Sequence, residues 1–176
     1  MAIISKILHN RKYIFLTVIF FTSCYNPFSP TLDQSDEDVP FITNQETPEE
    51  FFANFRYAYV FKDSLVYSNL LDSSFTFQYF NPDIGESGAF DSWRRNTELT
   101  TTGRLLRSFE TIDLTWYRIF FENDIDESEK KIYRDFRLML VNGDENISLF
   151  GSALFTLVKT QDGKWRIKLW VDETNY

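Results

Sequence analysis

The chain carries one cysteine and one histidine, Cys24 and His9, both near its start. A lone cysteine excludes an internal disulfide, so stability has to come from packing. If the first 23 residues are removed, as argued below, His9 goes with them. The remaining chain then lacks the commonest general base and the commonest neutral metal ligand. That excludes a Ser–His–Asp triad, a Cys–His pair and a zinc motif; no metal site and no cofactor are expected. Positive charge is scarce as well, with 18 Lys and Arg against 26 Asp and Glu and a net charge of −8. A chain this acidic is repelled by nucleic acid and by anionic lipid, which argues against both as electrostatic partners. There is no internal repeat and no long hydrophobic run. The apolar stretch at 13–21 is interrupted by Thr17 and is too short to span a bilayer comfortably.

That stretch has the layout of a secretory signal. Lys6, Arg11 and Lys12 form a basic leading region, apolar residues follow, and Phe21-Thr22-Ser23 leads into Cys24. These residues resemble a bacterial lipobox, in which small residues precede a cysteine that is lipidated and becomes the mature N-terminus. Phe21 stands where the best-known lipoboxes have Leu. The resemblance implies a signal peptide at 1–23, lipidation at Cys24 and attachment to a membrane through several acyl chains, since one chain alone anchors marginally. Tyr25 is not Asp, which in the enteric sorting rule permits transfer to the outer membrane. The expected location is the bacterial cell envelope, facing the periplasm or the cell surface. Residues 1–23 hold three bases and no acid, so their loss takes the net charge from −8 to −11. Residues 24–46 read as a tether: prolines at Pro27 and Pro30, then Asp33, Asp36, Glu37, Asp38 and Glu46 with no base among them.

From Thr47 the pattern changes. Thr47-Pro48-Glu49-Glu50 is a capping box with Pro at the first helical position, and Phe51, Phe52, Phe55, Ala58 and Tyr59 follow at helical spacing. Asp63-Ser64 caps a second short helix. Residues 75–80 alternate as a strand, and Asn81-Pro82-Asp83 with Gly85 and Gly88 forms a loop. Asp91 is expected to cap a third helix running to about Arg107 and carrying Trp93. Four strands follow, at 111–122, 131–141, 147–160 and 165–172, with a hairpin signal at Asn142-Gly143-Asp144 and a bulge or bend expected at Gly151. In the last strand Trp170 falls opposite the apolar face, which marks it for exposed contact with a partner. Early helices and late meandering strands predict an α+β domain, with helices packed on one side of a curved antiparallel sheet.

At this point the sequence resembles the nuclear-transport-factor-2-like fold, also called ketosteroid-isomerase-like or SnoaL-like. The resemblance covers about 47–172. It rests on Ala58-Tyr59 with Lys62-Asp63, on the run from Leu70 to Phe77, on Trp93, and on Gly163-Lys164-Trp165-Arg166-Ile167, where the family commonly reads Gly-x-Trp-x-Ile. It implies a cone-shaped domain over 47–176, whose bent sheet wraps the helices and can leave a pocket at the open end. Nineteen Phe, nine Tyr and four Trp are expected to fill that cone. A homodimer through the sheet is in keeping with the fold. Function does not follow from it, because the fold hosts isomerases, dehydratases, cyclases and adaptors.

Catalytic residues cannot be assigned from the sequence. Asp113, Asp135 or Asp172, with Tyr79 or Tyr117, would be the material for a carboxylate–tyrosine reaction. Each also reads as an ordinary strand-edge or outer-face residue. Tyr79, Trp93, Tyr117, Arg118 and Arg134 are the candidate ligand-binding residues. The two arginines interrupt apolar strand faces and suit a carboxylate or phosphate, or else a rim with buried stems and wet heads. The acidic turns at 124–127 and 142–146 lack calcium-loop spacing and read as solvated turns. The expected role is non-catalytic, either binding a small apolar ligand or docking an envelope protein. The alternative is a cofactor-free isomerase, dehydratase or cyclase.

Overall fold

The computed structural model describes residues 41–173. The expectations for the signal segment, for Cys24 and for the tether up to residue 40 lie outside the described residues. Helix α1, Pro48–Val60, starts as its sequence dictates: the Thr47 hydroxyl accepts the Glu50 amide at 3.2 Å. Glu50 reaches back to the Glu46 amide at 2.6 Å, so the box closes one residue before the cap. Just upstream, Gln45 adopts a left-handed φ of 66° and is almost fully buried. Its side chain donates to the Trp165 carbonyl at 2.7 Å and accepts from Asn54 at 3.1 Å. The packing of the domain therefore reaches back before Thr47. Lys62 turns the chain with φ of 57°, and Asp63 caps α2, Ser64–Leu70, by accepting the Leu65 and Val66 amides at 2.9 and 3.0 Å. None of the described helices is long and apolar enough to cross a membrane.

Strand β1, Leu71–Asn81, begins directly at the end of α2 and folds back on β2, Ala89–Arg94. β2 corrects the expected helix start at Asp91. Phe90 and Trp93 pair across the hairpin with Phe80 and Phe77, and this aromatic pairing overrides the local capping signal of Asp91-Ser92. Helix α3, Arg95–Ser108, follows with Arg94 at its cap and no side-chain capping bond. Trp93 is thus a strand residue. β3 (Thr111–Asp124), β4 (Glu129–Asn142), β5 (Glu145–Lys159) and β6 (Trp165–Asp172) complete the sheet.

The six strands lie in the order β2-β1-β6-β5-β4-β3. Every junction is antiparallel except β1 with β6, so the curved sheet is mixed. Pairing of β4 with β5 runs through Gly151 with no register shift, so of the bulge or bend expected there the bulge is absent. Bulges fall elsewhere. In β6 the register steps from Ile167 opposite Leu157 to Leu169 opposite Thr156, leaving Lys168 unpaired. One extra residue reverses the faces of everything after it. Trp170 therefore turns inward rather than outward, correcting its expected exposure. Register places Ile132, Phe155, Trp170, Phe77 and Trp93 in one row across five strands. Phe51, Phe52, Phe55, Ala58 and Tyr59 of α1 bury against this concave face.

Candidate functional site

The core is built from interlocked rings. Phe55 stacks on Tyr59 at 5.1 Å and meets Trp116 and Trp170 edge-on at 5.2 and 5.7 Å. Trp170 stands edge-on to Phe77 at 5.1 Å, and Phe77 stacks on Trp93 at 4.4 Å. Such pairs add to the burial of large apolar area. The Trp116 indole donates to the Phe52 carbonyl at 3.2 Å, whereas the buried Trp170 indole nitrogen has no hydrogen-bond partner among the described residues.

These rings do not fill the concave face completely, contrary to the filling expected from the aromatic count. A cavity of about 310 Å³ remains over β3, β4 and β5, closed on the helix side by Phe55 and Tyr59 and flanked by Trp170. Trp116, Phe136, Leu138 and Leu149 form much of its wall, Ser148 adds a hydroxyl, and Asp172 is its one charged residue.

Beside Tyr59 lies a buried carboxylate the sequence reading did not single out. Glu98 of α3 is only 4% exposed. One of its oxygens accepts the Tyr67 hydroxyl at 2.6 Å and the Thr102 hydroxyl at 2.7 Å, and the other accepts the Trp93 indole N–H at 2.6 Å. Three donors at these distances are how a core tolerates a carboxylate with no cation in contact. Burial, and then the charge of Glu98, push the Tyr59 hydroxyl well above its ordinary pKa. Burial and the neighbouring Tyr59 and Glu98 do the same to Tyr67. Both phenols stay protonated, and Tyr67 donates to Glu98. The signal for Glu98 was available in the four-residue spacing to Thr102 on a helix that opens immediately after Trp93.

The five predicted ligand-binding residues do not converge. Tyr79 and Trp93 are neighbours at 5.1 Å on the β1–β2 hairpin, where the Tyr79 hydroxyl donates to Asp91 at 3.2 Å. Tyr117 lines a separate recess of about 340 Å³ with Asp135 and Ser152. Arg118 lies exposed over the Phe120 ring at 4.1 Å. Arg134 sits 4.7 Å above the Phe52 ring and donates to the Tyr117 carbonyl at 2.9 Å. Burial lowers its pKa, against the opposing charge of Glu49. Of the three candidate acids, Asp113 pairs with Arg137 at 3.6 Å and Asp135 accepts from Ser152 at 2.7 Å; Asp172 alone reaches the cavity.

No protein-family model and no curated relative matches the sequence. Solved structures do match in shape. A candidate scytalone dehydratase from Novosphingobium aromaticivorans superimposes with a TM-score of 0.59 at 17% identity, over 73% of this chain and 81% of that one. The β subunit of a candidate aromatic-ring-hydroxylating dioxygenase from the same organism gives 0.59 at 13% identity, over 75% and 89%. An NTF2-like protein of unknown function from Shewanella oneidensis gives 0.51 at 11% identity, over 70% and 93%. At such identities the likeness is one of fold, and it agrees with the element order and the mixed, curved sheet described above. The domain has the nuclear-transport-factor-2-like fold.

Proposed function

We propose that this is a lipid-anchored envelope protein whose domain binds a small, largely apolar molecule without transforming it. The observation that carries the binding half is the cavity of about 310 Å³, walled by aromatic and leucine side chains with Asp172 as its one charge. Ligand sites commonly combine an apolar body with a few polar groups that fix orientation, and this volume is at the small end of their range. The ligand it suits has one or two rings and a hydroxyl or amine for Asp172. The anchor half rests on Lys6, Arg11, Lys12, the apolar stretch and Cys24.

The enzymatic reading has one supporting observation, that Tyr59 and Asp172 share the cavity wall. Against it, the Tyr59 hydroxyl is already engaged by Thr102 and Tyr67. The test is fluorescence titration of the full chain in detergent. 1-Naphthylmethylamine is expected to quench Trp116 and Trp170 saturably. Asp172→Asn should weaken that amine while leaving naphthalene unchanged. Absence of saturable quenching by both probes would remove the binding reading. Intact mass of the detergent-extracted protein tests the anchor, which an unmodified Cys24 or a retained Met1 would rule out.

A further inference from the structure

A second recess, of about 910 Å³, lies where α2 enters β1, β2 enters α3 and β5 turns into β6. It is distinct from the cavity over β3–β5 and opposite to it in character. Leu71 and Phe75 are the only hydrocarbon side chains on its wall, which carries Arg94, Arg95, Lys159 and Arg166 against Asp72 and Asp162.

The hydrogen bonds show which of these charges are already matched. Arg166 is matched, since it pairs with Asp162 at 2.5 Å and donates to the Asn69 carbonyl at 3.2 Å. Asp162 also accepts the Thr160 hydroxyl and the Lys164 amide. Asp72 is occupied locally by the amide and hydroxyl of Ser74 at 2.8 and 2.6 Å. Arg95 gives one N–H to the Ser68 carbonyl at 2.9 Å, and its buried Nε has no acceptor among the described residues. Arg94 and Lys159 are exposed and belong to none of the ion pairs among the described residues. Three cations with no carboxylate partner among the described residues thus share one recess on a chain of net charge −8. Like charges so placed repel one another, and an anion in the recess relieves that repulsion. Planar guanidinium groups favour oxyanions whose oxygens can take two parallel N–H bonds.

We propose that this recess binds a multiply charged oxyanion of the phosphate type, gripped by Arg94 and Lys159 at the rim with Arg95 beside them. This goes beyond the apolar-ligand reading and stands or falls separately from it.

The test is isothermal titration of the full chain in detergent with pyrophosphate, against potassium chloride matched in ionic strength, with citrate as a second arm. Saturable one-to-one binding of pyrophosphate is expected, with citrate weaker. Arg94→Gln and Lys159→Gln should each weaken pyrophosphate about tenfold, the scale of one charge-assisted bond. Arg104→Gln, an exposed arginine elsewhere on α3, should leave it unchanged. Both test positions are exposed, and an unaltered tryptophan spectrum will show that the variants fold. Three results would each overturn the proposal: no saturable pyrophosphate binding, binding equal in wild type and both variants, or equal losses in Arg104→Gln. Citrate binding as tightly as pyrophosphate would overturn the phosphate assignment.

Discussion

Tyr67→Phe is the cleanest probe of the buried carboxylate, because it deletes one oxygen and leaves the ring in place. Tyr67 is 1% exposed, and its hydroxyl is 2.6 Å from Glu98. Water cannot replace the lost bond without opening the core. A hydrogen bond to a charged group contributes about 1.5–3 kcal/mol, so a loss of about 2 kcal/mol is expected. For a domain of this size that lowers the melting temperature by roughly 6–10 °C. Glu98→Gln acts on all three bonds. It turns charge-assisted bonds into neutral ones and sets an amide against whichever donor it faces, Trp93 or the Tyr67–Thr102 pair. Relief from burying a charge offsets part of that, so about 2–4 kcal/mol is expected. The two changes share a bond and should not add; the double variant should fall short of their sum by about 1–2 kcal/mol. Urea unfolding monitored by tryptophan fluorescence measures each value. A Tyr67→Phe loss below about 0.5 kcal/mol, or strict additivity, would refute the claim that Glu98 organises this part of the core.

Two further outcomes follow from the geometry. Deleting Lys168 removes the extra residue of β6 and lets Ile167, Leu169 and Trp170 pair with Leu157, Thr156 and Phe155 without a bulge, so Trp170 stays inward; a wild-type-like tryptophan emission maximum is expected in the deletion variant, and a red-shifted emission with a stability loss above about 4 kcal/mol, the scale of emptying a large aromatic site, would count against the bulge assignment. The Asp162 carboxyl is held at about 2, first by the Thr160 hydroxyl and then by Arg166. A depressed carboxylate stabilises the fold above its unfolded value and loses that effect as pH falls from about 4 to about 2. Protection of the β5–β6 turn amides, taken relative to their intrinsic exchange rate at each pH, should therefore fall across that window in wild type and not in Asp162→Asn.

Much of the fold was legible because its signals are local. Thr47, Pro48 and Glu50 define the start of α1, Asp63 defines α2, and the alternation of β3 to β6 together with the Gly163–Ile167 run indicates the sheet. What escaped depends on partners distant in sequence. Asp91-Ser92 looks like a helix cap until Phe90 and Trp93 meet Phe80 and Phe77 across the hairpin. The inward turn of Trp170 depends on Lys168, a residue with no local mark of a bulge. The cavity depends on which side chains of β3, β4 and β5 the sheet sets side by side, a matter of register rather than composition. Glu98 escaped because α3 is otherwise polar, and a lone glutamate on such a helix looks solvated. Asp172 was named among the acids, yet only the curvature that brings it beside Trp170 and Phe55 gives it a place at the cavity.

The parallel junction of β1 with β6 has a consequence for how the polypeptide is made. The last strand in sequence is not an edge piece; it is inserted between the first strand and the fifth. Until it emerges, the early hairpin and the later three-strand meander share no strand pairing, and α1 links them only through contacts such as Phe52 and Phe55 on Trp116. The domain thus gains its unity from its most sequence-distant pairing, the slow kind to form. A nascent chain keeps an unclosed sheet until β6 has emerged.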